Sequence, residues 1–382
     1  MKYFNYLSPQ EVRSLFYIPP TSLDAIKQPD LLAQALGATL YTPATKKTIV
    51  EDIINKKYQG LVSLILDLED AVGDKQLAYA ENLLIQHILQ LAQHLDKGII
   101  PFSELPFLFI RVRNCEQMKR IAELMGQGIQ IVTGFVFPKF SATSLHYFDE
   151  LEKVNSRLSR PLFAMPVIET ADVLYKETRI DSLLKIKQIL DEYKELVLNV
   201  RIGATDFSSL LGIRRSPEYT IYDTPIRDVI SDIVNLFARV ENGYVVSGPV
   251  WEYFQSRSSS SEPTGFESDW QKGPFAGLIR EAMWDKIYGL TGKTIIHPSH
   301  IPVVQSLQVV THEEYLDARD IIAAANGELG VIKSRYGNKM NEIKPHLTWA
   351  KKILTKSKIY GVFHEKQTFI NLLRIGEKVS LG

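Results

Sequence analysis

The chain has almost no cysteine: Cys115 is the only one in 382 residues. That excludes an intrachain disulfide and any cysteine-rich metal site. Net charge is also missing. The 44 basic and 44 acidic residues cancel, so no overall basic excess points to nucleic acid or to an acidic membrane surface. No stretch approaches the roughly 20 apolar residues needed to span a bilayer. The opening Met1-Lys2-Tyr3-Phe4-Asn5-Tyr6 lacks the apolar core and small-residue cleavage site of a signal peptide. The expectation is a cytoplasmic protein with neither a nucleic-acid nor a membrane partner. Cys115 follows Asn114 at a predicted strand end with no motif around it, and reads as a bystander rather than a nucleophile. With 45% hydrophobic and 23% charged residues, the balance is that of an ordinary globular chain.

What is present is an alternation. Eight short apolar runs read as strands, over 14–18, 61–68, 107–112, 134–138, 162–168, 196–202, 244–250 and 294–296. Helical patterns lie between them, for example over 77–95 and 226–238. Strand-helix alternation predicts a parallel sheet, and eight repeats of it predict an α/β chain closed into a (β/α)8 TIM barrel. Two segments depart from the pattern. Residues 179–195 read as a charged helical insert. Residues 255–273, with Ser258 to Ser261, Pro263, Gly265 and Gly273, read as a surface loop. Beyond residue 300 the chain is polar and helical, with candidate helices over 315–325 and 347–354. The expected division is a barrel domain over 1–305 and a C-terminal helical extension or lid over 306–382.

Acidic residues sit where the predicted strands end. The run Gly60-Leu61-Val62-Ser63-Leu64-Ile65 leads into Leu66-Asp67-Leu68-Glu69-Asp70-Ala71-Val72. Clustered acids are costly to bury unless something positive meets them. They make a candidate metal or substrate site, or they cap a following helix turn. The strand over 162–168 runs into Glu169, and the next runs through Gly203-Ala204-Thr205 into Asp206. In a barrel both acids lie at the C-terminal mouth, where active sites of this architecture are built. Two carboxylates from neighbouring strands, with water and substrate oxygens, suit octahedral Mg²⁺. Helix N-capping is the alternative, and the metal reading is preferred.

Basic residues stand near the same strand ends. In Phe109-Ile110-Arg111-Val112-Arg113 the arginines alternate at the end of the third strand. Each is suited to forked recognition of a substrate carboxylate, or is a structural partner of Asp67 or Glu69. Arg13, at the start of the first predicted strand, is a second anion contact with the same alternative. Lys139 ends the strand over 134–138. It reads as a charge near the site, with a Schiff-base role the weaker alternative. Gly289-Leu290-Thr291-Gly292-Lys293-Thr294 lacks the spacing of a phosphate loop and precedes a strand, so a nucleoside-triphosphate site is rejected. His297, after the last strand, is equally readable as structural or functional.

In order along the chain, these pieces resemble the citrate lyase beta-chain family, relatives of the HpcH/HpaI-type aldolases. Arg13-Ser14-Leu15-Phe16 resembles the family's opening R-S-x-L-F. Asp67-Leu68-Glu69-Asp70-Ala71-Val72 is similar to D-L-E-D-A-V, Ile110-Arg111-Val112 to V-R-V-N, and Pro138-Lys139 to P-K. Ile168-Glu169-Thr170-Ala171 is similar to I-E-T-A, and Gly203-Ala204-Thr205-Asp206-Phe207 with Leu211-Gly212 to G-A-x-D-L…L-G. The stretch from Gly289 to Pro298 is similar to G-F-x-G-K-x-x-I-H-P. The resemblance implies a (β/α)8 barrel with Mg²⁺ held by Glu169 and Asp206. It also implies that Arg111 holds the carboxylate or carbonyl end of a short acid, often a coenzyme A thioester. It implies C–C bond chemistry through an enolate stabilised by the metal and by positive charge, in a homo-oligomer such as a trimer or larger ring. Three features depart from the family. Arg113 is an extra arginine, the 179–195 segment lengthens the spacing from Glu169 to Asp206, and Asn341-Glu342 replaces the Ile-Asp pair of the family's lid.

The expected function is a Mg²⁺-dependent C–C lyase or aldolase acting on a small oxo- or hydroxy-acid. Glu169 and Asp206 are its metal ligands, and Arg111, Glu69 and Asp70 its catalytic residues. Arg111, Arg113, Arg13 and Lys139 are its substrate contacts. The alternatives are an acyl-CoA condensing or thioester-hydrolysing enzyme of the same fold, and a catalytically silent binding or assembly subunit.

Overall fold

The computed structural model describes residues 1–22, 28–254 and 275–380, with side chains as far as residue 375. The serine-rich segment over 255–273 lies outside the described residues. Strands β1 to β11 run over Phe16–Ile18, Ala38–Pro43, Ser63–Asp67, Phe107–Arg111, Val132–Phe137, Phe163–Ile168, Arg201–Ile202, Lys293–Ile295, Val331–Lys333, Met340–Glu342 and Val362–Phe363. Seven of them form one parallel sheet in the order β7-β6-β5-β4-β3-β2-β8. The segment 244–250 closes it. Val246 bridges Val200, Gly248 bridges Lys293, and the Ser247 N–H donates to the Val200 carbonyl at 3.0 Å. The result is a closed eight-stave barrel.

Alternation along each strand separates two apolar layers. Leu64, Leu66, Leu108, Ile110, Phe135 and Phe137 pack outward against helix residues such as Leu84, Ile88 and Ile121. Ile65, Phe107, Phe109, Val136, Met165 and Val167 point inward. The strands are buried on both faces, which is why they read as continuous apolar runs. Counting two residues on from Ile65 and Phe109 brings Asp67 and Arg111 to the inner face. The β3–β4 register sets that pair directly opposite one another.

Two expectations change. The run over 14–18 is not a barrel strand. Ser8 and Glu11 form a capping box that starts helix Pro9–Leu15, and β1 then pairs antiparallel with β11. The first stave is instead β2, Ala-Thr-Leu-Tyr-Thr-Pro, whose alternating polar residues gave no apolar run. The segment over 179–195 is no insert. Helix Arg179–Glu192 is the ordinary crossover between β6 and β7, with Leu183, Ile186 and Leu190 buried on the barrel. Helices Leu77–Asp96 and Ile226–Phe237 agree closely with the sequence, His312–Ala323 starts three residues before the expected 315–325, and Ile343–Tyr360 extends well beyond the expected 347–354 at both ends.

The two chain ends meet beneath the barrel. Tyr3, Phe4, Phe16, Tyr360 and Phe363 share one apolar cluster with Val62, Phe107 and Phe163 from the strand starts. The Tyr3 and Tyr360 hydroxyls donate to the Ala35 and Gln34 carbonyls, each at 2.8 Å. One end of the barrel is thereby plugged, and the other end is left for chemistry. No helix of the described residues is long and apolar enough to cross a membrane.

Candidate functional site

At the C-terminal mouth, Asp67 ends β3 and does two jobs. Its carboxylate accepts the backbone N–H of Glu69 (2.9 Å) and of Ala71 (3.2 Å), which shapes the acidic turn. It also receives Arg111 in a forked pair, with Nε and Nη2 both at 2.6 Å. Arg111 Nη1 lies 2.9 Å from Glu69 and 3.2 Å from Asp70. Three carboxylates therefore surround this one guanidinium. Burial works against its charge, but the hydrogen bond and charge of Asp67 hold its pKa above the ordinary arginine value. Asp67 and Arg111 are partners of one another, but no helix begins at Ala71: Asp67 closes a turn over 68–72, and the next helical residues, Asp74–Gln76 and Leu77–Asp96, start without a side-chain cap.

Lys139 follows β5 in a left-handed backbone conformation, φ 48°, and this turns its N–H onto Glu169 Oε1 at 2.8 Å. Its ammonium bonds Glu69 and lies 3.7 Å from Asp70 and 3.6 Å from Asp206. Burial lowers the Lys139 pKa, but the carboxylates around it, Glu69 foremost, raise it above the ordinary value on balance. A Schiff-base lysine needs the opposite.

Glu169, immediately after β6, is 3% exposed. Gly203 makes room for it: a Cβ at 203 would stand 1.8 Å from Glu169 Oε2. Asp206 projects from the first turn of helix Ala204–Leu210. Burial pushes the Glu169 carboxyl up, and the Asp206 charge pushes it further, to about 8, against the pull of Lys139 and Arg111. Burial likewise raises Glu69 against Arg111 and Lys139, whereas Asp70 is held low by hydrogen bonding to Glu69 and by Arg111 and Lys139, despite its burial.

The structure thus brings Glu69, Asp70, Arg111, Lys139, Glu169 and Asp206 together. Arg113 stands beside them facing the other way. It clamps the acidic turn through the Leu68 carbonyl (2.9 Å), the Val72 carbonyl and Asp74 (2.5 Å). Arg13 is not part of the group. It is exposed on helix Pro9–Leu15 at the plugged end, where His364 Nε2 lies 3.1 Å from its carbonyl oxygen. The lone histidine of the last stave, His297, stacks on Phe254 with ring centroids 4.4 Å apart. Glu342 starts a helix among the C-terminal elements, where its N–H donates to His346 Nδ1 at 3.0 Å.

Among the described residues, no three His, Cys, Asp or Glu side chains form a metal-ligand group. A cation at this mouth would be held by the Glu169–Asp206 pair. These residues fit Mg²⁺, which takes one or two carboxylates and completes its shell with water or substrate. Burial first, and the Asp206 charge second, push the Glu169 carboxyl up, and a divalent cation between the two carboxylates relieves their repulsion.

Two inward residues escaped sequence reasoning. Tyr41 belongs to the missed strand β2. Its ring lies 5.2 Å from the Arg111 guanidinium carbon and 5.6 Å from that of Arg201. Arg201, on β7, is 1% exposed. The available signal was a charged residue interrupting an apolar strand two positions before the glycine that faces Glu169.

None of the curated proteins matches this sequence. Solved structures do. A citrate lyase from Burkholderia xenovorans LB400 superposes with a TM-score of 0.58 at 16% identity, covering 88% of this chain and 95% of that one. Protein CitE from Mycobacterium tuberculosis, in complex with magnesium, acetoacetate and coenzyme A, gives 0.53 at 21% identity, covering 85% of this chain and 99% of that one. At these identities the likeness speaks for the fold. The family model described as C-C bond lyase of the TIM-barrel fold matches residues 30–362, and the family resemblance read from the motifs is borne out. This chain belongs to the TIM-barrel family of C–C bond lyases.

Proposed function

We propose that the chain is a Mg²⁺-dependent lyase or aldolase that makes or breaks a C–C bond in a small oxo- or hydroxy-acid, free or as a coenzyme A thioester. The observation that carries this reading is the buried Glu169 carboxyl set against Asp206 at the barrel mouth. Glu169 and Asp206 hold the cation. Bound there, Mg²⁺ supplies Lewis acidity at the substrate oxygen next to the bond that changes. Glu69 and Asp70 orient Arg111 and Lys139 and hold water beside the cation. Arg111 and Lys139 present fixed positive charge to an enolate, a form of stabilisation that needs no reorganisation during the reaction. The Lys139 N–H aims Glu169 through its 2.8 Å bond. The 306–382 segment is, on this reading, an extension outside the catalytic barrel.

The test is a screen of short oxo- and hydroxy-acids and their thioesters with Mg²⁺ or EDTA. Turnover should require Mg²⁺ and be abolished in Asp206→Ala, with the fold intact by circular dichroism. Full activity in Asp206→Ala would contradict the reading, as would binding of Mg²⁺ and acid without turnover of any compound. A second reading, condensation or hydrolysis of an acyl-CoA, is favoured by the coenzyme A in the CitE complex. It predicts coenzyme A release with no C–C cleavage product.

A further inference from the structure

The two guanidiniums beside Tyr41 are in opposite electrostatic states. Arg111 is matched by Asp67, Glu69 and Asp70. Arg201 has no carboxylate within ion-pair distance among the described residues. Its recorded hydrogen bonds are Nη2 to Thr294 Oγ1 (2.6 Å) and a weak contact of Nη1 with Met165 Sδ (3.8 Å). Among the described residues its Nε is buried without a hydrogen-bond partner. A buried cation with nothing opposite it is expensive, far more so than a buried pair. An unsatisfied buried group of this kind is a candidate receptor for a partner that arrives from outside.

The surroundings support this. Around the inner wall, β3 to β6 supply Ile65, Phe109, Val136, Met165 and Val167. The opposite sector is polar. Thr39 on β2 is in register with Thr294 on β8. Among the described residues, Thr39 Oγ1 is buried with no hydrogen-bond partner, as is Asn199 Oδ1 two residues before Arg201. Tyr41 and Thr294, which both touch Arg201, are only partly buried. Gly203, two residues further along the same face, abuts Glu169.

We propose that Arg201 is the anion receptor of this site. It accepts the substrate's carboxylate through Nε and its free N–H groups in the polar sector, while the reacting oxygen lies toward Glu169 and Asp206. Arg111 then serves as fixed charge and scaffold rather than as the carboxylate fork. The substrate class follows: an acid whose carboxylate enters first and whose oxo or hydroxy group stays at the mouth. This inference rests on the lyase reading above and refines it.

The experiment measures Mg²⁺-dependent thermal shifts and calorimetric binding with pyruvate and with its uncharged amide, for wild type, Arg201→Met, Arg201→Gln and Asp206→Ala. The expected result has two parts. Ligand-free Arg201→Met melts higher than wild type, because an unmatched buried charge has gone. Both Arg201 variants bind pyruvate about 10- to 100-fold more weakly, the loss of one charge-assisted hydrogen bond, with amide and Mg²⁺ binding unchanged. A merely structural arginine gives the opposite sign, with both variants melting lower and pyruvate affinity retained, and that overturns the proposal. If Asp206→Ala loses Mg²⁺ binding while the Arg201 variants bind pyruvate like wild type, only the Arg201 assignment fails. If wild type binds neither Mg²⁺ nor pyruvate, the lyase reading fails and the Arg201 assignment falls with it.

Discussion

Replacing Glu169 by glutamine removes one charge and almost no volume. In the metal-free fold the Glu169 carboxyl is raised from an ordinary 4.5 to about 8 by burial and by Asp206. Between those two values the folded chain holds a proton that the unfolded chain has released, so stability falls as pH rises across that window. Below pH ~4.5 the contribution is absent, and above pH ~8 the full penalty applies. One pH unit corresponds to ~1.4 kcal/mol, which puts the penalty on the order of several kcal/mol for this nearly sealed side chain. The assay is calorimetric melting from pH 5 to 9 in EDTA, comparing wild type with Glu169→Gln so that titrating groups remote from the Glu169–Asp206 pair cancel and the difference reports the pair. Wild type should lose stability relative to the variant as pH rises, and saturating Mg²⁺ should restore it at pH 8 and above, because the metal competes for the same deprotonated carboxylate. Parallel curves for the two proteins in EDTA would refute the reasoning. So would a Mg²⁺ shift as large in Glu169→Gln as in wild type.

Other outcomes follow from the same geometry. Asp67→Ala leaves Arg111 without its forked partner at 2.6 Å and should cost about 3–5 kcal/mol in urea unfolding, as breaking a buried pair does. A loss below ~1 kcal/mol would show the pair to be dispensable. Gly203→Ala places a methyl on Glu169 Oε2 and should weaken Mg²⁺ binding at least ~10-fold by calorimetry, with secondary structure retained; unchanged affinity would mean Glu169 is not the ligand. Because its carboxylate neighbours keep Lys139 protonated, borohydride with an oxo-acid should leave it unmodified by mass spectrometry, and a reduced adduct at Lys139 would favour Schiff-base chemistry.

The mouth of the barrel was legible because its acids end apolar strands. Asp67 ends and Glu169 follows a run whose burial on both faces leaves a clear sequence trace, and Asp206 lies one small-residue turn beyond the next stave. The first stave was not legible. Ala38–Pro43 faces inward with Thr39 and Tyr41, so its polar residues broke the apolar signal, and the more hydrophobic 14–18 took its place. That substitution carried Arg13 to the wrong end of the molecule. Helix Arg179–Glu192 was misread because its exposed face is densely charged while Leu183, Ile186 and Leu190 do the packing. The two roles weighed for Arg111 could not be separated by spacing alone, since only the β3–β4 register sets it against Asp67. Arg201 left one trace, a charge interrupting an apolar run, but what distinguishes it is structural: among the described residues its Nε has no hydrogen-bond partner.

The account stands or falls on whether Glu169 and Asp206 share a divalent ion at the open end of the barrel. The most direct measurement is anomalous diffraction from crystals loaded with Mn²⁺ in place of Mg²⁺. The account predicts one strong peak between the Glu169 and Asp206 carboxylates, roughly 2.0–2.2 Å from an oxygen of each, with the Lys139 ammonium moved off Asp206. A mouth without a peak, with Lys139 still bridging Glu69 and Asp206 at full metal occupancy elsewhere, would contradict it.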